Sequence, residues 1–402
     1  MKLDLAPWQD QPGMAELLHA LDAAQGATRY VGGSVRDGLL GLPVSDVDLA
    51  TRLTPQEVMD RLQRARIKAV PTGLAHGTVT AVLKNGPVEV TTLRRDVSTD
   101  GRRATVAFTD DWREDAARRD FTINALSADP LTLQVHDYFD GEADLAARRL
   151  RFIGDPLTRI AEDHLRILRF FRFHARFGAG APDAASLEAC TARANDLMAL
   201  SRERIADELL KLLALPDPSP TLDLMVGRGI FRPVLPEIDG TGVERLRHLV
   251  ASETAAAVAP DPLRRLAALL PEDAAVAADV AARLRLSNKA AKRLVSAADR
   301  KPEDGVNPPA LAYRLGSDEA IDRLLLIGAD PASVREMANW RKPHFPLGGG
   351  DLIAMGLKPG PQVARTLQAV ERRWIEGGFS DDGDEVRALA RAAVDQALRD
   401  SQ

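Results

Sequence analysis

Residues 30–51 read YVGGSVRDGLLGLPVSDVDLAT, and the predicted fold is built outward from them. Two carboxylates, Asp46 and Asp48, lie two positions apart in a segment whose other residues predict a strand. Since residues i and i+2 of a strand point to the same face, both carboxylates are expected in one space, about 6–7 Å apart. Like charges at that distance repel each other unless a cation lies between them, and hard oxygen ligands suit Mg²⁺. The spacing therefore predicts a magnesium site.

The first half of the same stretch predicts a phosphate-binding turn. Gly32 and Gly33 follow an apolar strand, and Ser34 is expected to cap the helix that comes next. A glycine turn at a helix N-terminus exposes backbone N–H groups that suit a phosphate, and Arg36 adds a charged donor. A glycine turn or an Asp-x-Asp pair by itself is usually structural. Their combination in one strand–helix–strand unit favours a nucleotide site in which Gly33 and Arg36 hold phosphates.

A second carboxylate-bearing strand is predicted further along the chain. Residues 77–83 and 88–93 have strand character and are joined by a turn that contains Asn-Gly, a strong hairpin signal. Glu89 points to the face opposite its apolar neighbours. It either joins Asp46 and Asp48 as a third carboxylate or is an exposed strand residue.

Two later segments are rich in arginine. Residues 118–125 read RRDFTINA, and residues 160–176 read IAEDHLRILRFFRFHAR. The apolar residues of the second segment predict the buried side of a helix. Four polar residues recur on it every three positions: Asp163, Arg166, Arg169 and Arg172. Residues three apart on a helix are neighbours, so this row indicates either a binding surface or a salt-bridged surface helix, which would add little stability.

These motifs together resemble those of the class II tRNA nucleotidyltransferase and bacterial poly(A) polymerase family. The combination of GG-x-x-RD and D-x-D is similar to motif A, RRDFTINA to motif B, and ED-x-x-R-x-x-R-x-x-R to motif D. The similarity extends over about residues 26–379 and is looser in the helical part from residue 221 onward than in the head. It implies template-independent nucleotidyl transfer to an RNA 3′ end.

The resemblance also implies roles for individual residues. Arg119 contacts the nucleotide, while Asp120 and Asn124 help to shape the sugar pocket. The remaining contacts come from the second arginine-rich segment: Asp163 and Arg166 recognise the base, and Arg169 and Arg172 complete the nucleotide site.

Two further segments acquire an expected role from the same resemblance. Residues 201–210 are similar to motif E, which buttresses the neighbouring helices, so Arg204 or Glu208 is expected to support the base-recognition residues. Residues 94–108 lack a clear period and are expected to form a mobile loop. They resemble the family's flexible loop beside the active site, where it helps to switch between CTP and ATP addition.

The expected fold class is α+β, with a small mixed-sheet nucleotidyltransferase head followed by an all-helical neck, body and tail. A proline-rich linker at residues 216–220 marks one boundary. Four regions are predicted: a head at 1–145, a neck for base recognition at 146–215, a body at 216–330 and a tail for tRNA binding at 331–402.

Composition is that of an ordinary globular protein. The 402 residues are 45% hydrophobic and 28% charged, and no stretch approaches the roughly 20 apolar residues of a membrane span. One cysteine, Cys190, excludes a disulfide framework, and no apolar leader is found, so a cytoplasmic location is expected. The net charge of −5 does not indicate an RNA-binding protein, but arginines cluster at 159–176 and 335–373.

The expected function is the addition of CCA, from CTP and ATP, to the 3′ end of tRNA. Asp46 and Asp48 are expected to hold two Mg²⁺ ions. A bacterial poly(A) polymerase shares the same motifs and is the first alternative. A catalytically inactive RNA-binding module is the second, and intact Asp46, Asp48 and Arg119 argue against it. The oligomeric state, monomer or homodimer, stays open.

Overall fold

The computed structural model describes residues 2–4, 8–44, 46–99 and 104–400. The chain divides into two compact units, Met1–Pro236 and Glu237–Gln402. The first unit contains a mixed sheet together with helices, and the second is helical throughout its described part. The predicted α+β class is confirmed. The finer division at residues 145, 215 and 330 stays a prediction.

The described strands all belong to the first unit. In chain order they are β1 (Thr28–Val31), β2 (Asp48–Thr51), β3 (Lys68–Gly73), β4 (Thr78–Leu83), β5 (Gly86–Thr92), β6 (Arg94–Thr99), β7 (Ala104–Phe108), β8 (Ser127–Ala128) and β9 (Val135–His136). Seven of them form one sheet in the order β3-β4-β5-β2-β1-β8-β9. Within this sheet, β2 and β5 run parallel and the other neighbouring pairs run antiparallel. The predicted hairpin is confirmed as β4 and β5.

The prediction that residues 94–108 form a loop without regular structure is wrong for the described residues, and their mobility stays a prediction. β6 and β7 pair as a separate antiparallel ribbon, in which Arg94 lies opposite Phe108. The predicted loop also covered residues 100–103, which lie outside the described residues.

The first unit also contains ten described α-helices. They are α1 (Met14–Ala20), α2 (Gly33–Leu39), α3 (Pro55–Arg64), α4 (Trp112–Ala117), α5 (Gly141–Ala146), α6 (Pro156–Glu162), α7 (Arg166–Phe177), α8 (Ala184–Ala192), α9 (Arg202–Leu213) and α10 (Ser219–Gly227).

Aromatic packing anchors α7. Phe121, which precedes a 3-10 turn at Thr122–Asn124, lies 4.9 Å from Phe152 and 5.3 Å from Phe173, measured between ring centroids. Phe152 in turn stacks on Phe170 at 5.7 Å. All four rings are buried. Because such pairs add specific geometry to ordinary apolar burial, this cluster fixes α7 against the RRDFTINA segment.

The single helix predicted across residues 160–176 is in fact two helices. Asp163 lies between α6 and α7 with an extended backbone, φ −152° and ψ 107°. Its side chain accepts a hydrogen bond from the backbone N–H of Leu165, at 3.1 Å. Aspartate commonly competes with helix formation in this way, because its short side chain binds nearby backbone groups. Asp163 therefore lies just before the helix that carries Arg166, Arg169 and Arg172.

The second unit consists of ten described helices: α11 (Gly240–Ala256), α12 (Pro262–Leu269), α13 (Ala274–Arg283), α14 (Asn288–Ala298), α15 (Pro308–Leu315), α16 (Ser317–Leu326), α17 (Pro331–Asn339), α18 (Gly349–Ala354), α19 (Pro361–Glu376) and α20 (Gly383–Arg399). None of the helices in the described parts of the chain is long and apolar enough to cross a bilayer.

Candidate nucleotide site

The parallel pairing of β2 with β5 brings two carboxylates together. Asp48, the first residue of β2, lies directly opposite Glu89 of β5. Paired residues on neighbouring strands point to the same face. Burial raises the pKa of Asp48 to about 6, with Glu89 and Asp46 adding to the effect and Arg119 opposing it. Glu89 is thus both opposite Asp48 and solvent-exposed, and its role as a third carboxylate stays a prediction.

The chemistry of these donors fits a hard divalent cation. Burial and the neighbouring carboxylates disfavour the negative charge of Asp48. A bound cation would neutralise this charge and reduce the repulsion. Among the described residues, no three His, Cys, Asp or Glu side chains form a ready cage for a metal. Mg²⁺ does not require one, since it is usually held by one or two carboxylates together with water and substrate phosphates. The assignment of Asp46 and Asp48 as its ligands stays a prediction.

The turn between β1 and α2 depends on Gly32. Its backbone has φ 66° and ψ −123°, a conformation that side chains rarely allow. A Cβ at this position would meet Nη1 of Arg119 at 2.9 Å. The predicted cap at Ser34 is wrong, because α2 begins at Gly33 and the Ser34 hydroxyl donates to the carbonyl of Val31. Gly32 thus allows Arg119 to approach the turn closely.

Arg36 is held by several partners at once. Its Nε donates to Asp37 at 2.8 Å and its Nη1 to the Asn124 side-chain oxygen at 2.5 Å. Its guanidinium also lies over the ring of Phe177, 4.2 Å from the centroid. Asp37 accepts a further bond from Arg176 of α7, at 3.2 Å. Arg36 therefore links α2 with α7, and its predicted contact with phosphate stays a prediction.

The RRDFTINA segment contributes a second set of paired charges. Arg118 and Arg119 both contact Asp115, at 2.9 and 3.3 Å. Asp120 accepts bonds from Arg169, at 2.7 Å, and from the Asn124 side chain, at 2.9 Å. Although burial works against ionisation, Arg169 and these hydrogen bonds hold the pKa of Asp120 below its usual value. Asp120 is thus an ionised anchor for Arg169.

The base-recognition residues predicted from motif D are each fixed by other groups. Asp163 accepts two bonds from Nη2 of Arg204, at 3.0 and 2.8 Å. Arg166 donates to Glu162 at 2.5 Å and to the carbonyl oxygens of Arg159 and Arg118, each at 2.9 Å. The expectation that residues of 201–210 support this region agrees with the contact between Arg204 and Asp163.

A cavity of about 470 Å³ brings most of these side chains together. Its lining includes ten residues that the sequence analysis predicted as site residues: Gly33, Arg36, Asp48, Arg119, Asp120, Asn124, Asp163, Arg166, Arg169 and Arg172. Asp46 and Glu89 are not among the lining residues. Asp46 lies two positions before Asp48 in the chain, and Glu89 lies opposite Asp48 on the neighbouring strand. Gly32, which belongs to the predicted phosphate-binding turn, also lines the cavity, whereas Arg118, Phe173 and Arg176 were given no role in the site from the sequence. Arg176 follows Arg172 by one helical turn, a spacing that would have identified it.

Two parts of the chain match known family profiles. Residues 28–151 match the profile described as the poly A polymerase head domain. Residues 181–240 match the profile described as a probable RNA and SrmB-binding site of polymerase A.

Full-length relatives and a solved structure are similar along almost the whole chain. CCA tRNA nucleotidyltransferase 1, mitochondrial, of Mus musculus is 34% identical, with 96% of this chain and 92% of the relative covered. The CCA-adding enzyme of Streptococcus thermophilus is 30% identical, with 98% and 99% covered. The crystal structure of the Bacillus stearothermophilus CCA-adding enzyme in complex with CTP superposes with a TM-score of 0.76 at 28% identity, covering 97% of this chain and 100% of that one.

Proposed function

Because this chain belongs to the family of CCA-adding tRNA nucleotidyltransferases, we propose that it adds C, C and A to the 3′ end of tRNA, using CTP and ATP. The observation that carries this proposal is the cavity that Asp48 lines together with arginines from three separate segments of the chain. A phosphoryl-transfer site needs carboxylates that bind the metal ions and cationic side chains that bind the triphosphate, and this cavity contains both types of residue.

The chemistry begins at the carboxylates. Asp46 and Asp48 would hold two Mg²⁺ ions, which when bound lower the pKa of the RNA 3′-hydroxyl and neutralise the triphosphate. Glu89 places a further negative charge beside Asp48. Arg119 is close enough to lower the pKa of Asp48, so its positive charge lies where a triphosphate would meet the carboxylates. Gly33 and Arg36 are assigned to the phosphates on the same grounds.

Base selection is assigned to Asp163 and Arg166. A carboxylate offers only acceptors and a guanidinium only donors. Cytosine and adenine both present an exocyclic amine beside an acceptor ring nitrogen, whereas uracil and guanine present an oxygen beside a ring N–H. One Asp–Arg pair therefore accepts C and A together and rejects U and G, because a mismatch leaves buried polar groups unpaired at a cost of about 1–3 kcal/mol each.

The cellular setting proposed is the cytoplasm. Cys190, the one cysteine of the chain, is buried and free. This use of cysteine fits a reducing compartment.

Incubation with a tRNA that ends before CCA tests the proposal. CTP alone should give two additions, ATP alone none, and both together three. Asp48→Ala should abolish extension while circular dichroism stays unchanged. Long adenosine tails on arbitrary RNA would instead assign poly(A) polymerase activity, and no incorporation by the wild type would leave an RNA-binding module. Extension by a folded Asp48→Ala variant at close to the wild-type rate would refute the metal assignment.

A further inference from the structure

Helix α9 supports the cavity through two side chains of one face. Arg204 and Glu208 are four residues apart, so they lie one turn above each other. Both contact residues that line the cavity, but not the same ones. Arg204 binds Asp163, whereas Glu208 accepts a bond from Arg172 at 2.6 Å and lies 3.7 Å from Arg169. The two side chains therefore act on different parts of the site.

Arg204 fixes the orientation of the Asp163 carboxylate. Its Nη2 lies 3.0 Å from Oδ1 and 2.8 Å from Oδ2, so it bridges both oxygens. The Leu165 N–H donates to Oδ1 as well. Oδ1 thus receives two donors and Oδ2 one, which leaves Oδ2 the freer acceptor for a base amine. A carboxylate held from two sides presents its acceptor in one direction, which is the condition for discriminating between bases.

Arg166, the other half of the proposed base-recognition pair, is fixed independently of α9. Both protons of its Nη1 are committed, one to Glu162 and one to the Arg159 carbonyl. One proton of Nη2 is committed to the Arg118 carbonyl. Loss of Arg204 should therefore release Asp163 while Arg166 keeps its place.

Glu208 is buried and acts on the other side of the cavity. Only 4% of its side chain is exposed, and its carboxylate holds Arg172 through Nε. Arg169 donates to Asp120, which is expected to shape the sugar pocket, so we assign Arg169 and its neighbour Arg172 to the sugar and phosphates that all four substrates share. An interaction with a shared group changes binding of all four substrates alike and leaves their ranking unchanged.

We propose that α9 carries two separable positioning functions. Arg204 determines base choice through Asp163, and Glu208 determines nucleotide affinity through Arg172 and Arg169 without affecting base choice. The inference rests on the proposed function, because it assumes that Asp163 contacts the incoming base.

The test compares kcat/KM for CTP, ATP, UTP and GTP on one tRNA lacking CCA. The variants are Arg204→Ala, Arg204→Lys, Glu208→Gln and Asp163→Ala, with Lys211→Ala as the matched control. Lys211 lies on α9, is exposed, and pairs with Asp207 on the surface. In Arg204→Ala, the ratio of kcat/KM for CTP and ATP to kcat/KM for UTP and GTP should fall about tenfold, the effect of about one misplaced hydrogen bond. Arg204→Lys, which keeps the positive charge, should restore part of the preference for CTP and ATP.

Glu208→Gln should raise KM for all four nucleotides by a common factor, so the ratios of kcat/KM between nucleotides should stay at their wild-type values. Lys211→Ala should change neither kcat nor KM for any nucleotide. An equal loss for all four nucleotides in a folded Arg204→Ala protein would overturn the inference. If Asp163→Ala relaxes base choice and Arg204→Ala does not, the role of Arg204 is refuted while the proposed function stands. If the wild type adds neither C nor A to tRNA, the proposed function itself fails.

Discussion

At the scale of single residues, Asp48 combines the role of a proposed metal ligand with a cost in stability. Burial and the neighbouring Glu89 and Asp46 disfavour its charge in the folded chain. In the unfolded chain the same carboxyl is solvated and titrates near 3.9. The folded protein therefore binds a proton at this position more tightly than the unfolded protein does. A divalent cation bound there would have to compete with that proton.

Without divalent ions, the contribution of Asp48 to stability should be present below pH 4 and be lost as pH rises through about 6, the raised pKa of the folded state. The midpoint of thermal unfolding in EDTA should therefore fall from pH 4 to pH 7 more steeply for the wild type than for Asp48→Asn. Added Mg²⁺ should reverse this difference at pH 7 and have less effect at pH 5. A difference between the two proteins that is independent of pH would contradict the raised pKa.

At the scale of elements, the β1–α2 turn links the sheet to Arg119. Gly32→Ala should strain the backbone, at a cost of about 1–3 kcal/mol, and also displace the Arg119 guanidinium. Gly41→Ala is the matched control: Gly41 also has a positive φ, 64°, but a Cβ there meets nothing within 4 Å. Both variants should lower the free energy of unfolding, measured with urea. Only Gly32→Ala should raise KM for CTP and ATP.

An equal KM in the two glycine variants would show that Arg119 does not depend on the turn for its position.

The elements also show what the sequence could predict. The turn at Gly32 and Gly33 and the β4–β5 hairpin follow from local chemistry, since turn residues and strand alternation act over a few positions. The strand predicted to carry both carboxylates begins only at Asp48, so the prediction that Asp46 belongs to the same strand is wrong. The sequence predicted one continuous helix through Asp163, where the structure has a break between α6 and α7. The row of polar residues keeps its three-residue spacing across this break and therefore gave no sign of it. The contact of Asp163 with Arg204 joins residues 41 positions apart. Such a contact depends on how α7 and α9 pack, which a single sequence does not specify.

At the scale of the whole molecule, each compact unit has its own means of stability. The first unit packs α7 through its aromatic cluster. The second unit contains a buried ionic network across four helices, α11, α12, α14 and α16: Glu253, Arg264, Arg265, Arg293 and Asp322. Asp322, whose side chain is 1% exposed, accepts bonds from Arg264 at 2.9 Å and from Arg293 at 2.6 Å. Sequence reasoning predicted the helices here but not this network, because its members are spread over 70 positions.

Asp322→Ala should destabilise the second unit by about 3–5 kcal/mol, because it removes one of the two carboxylates that pair with buried Arg264. Asp318→Ala, an exposed position one turn earlier on α16, is the matched control. The residues of the nucleotide cavity all lie in Met1–Pro236, so CTP binding, measured by calorimetry, should persist in both variants. Extension of tRNA should fail for Asp322→Ala at temperatures where its second unit unfolds. An unchanged urea midpoint for Asp322→Ala would show that the network adds no stability, and loss of CTP binding would show that the nucleotide site requires the second unit to be folded.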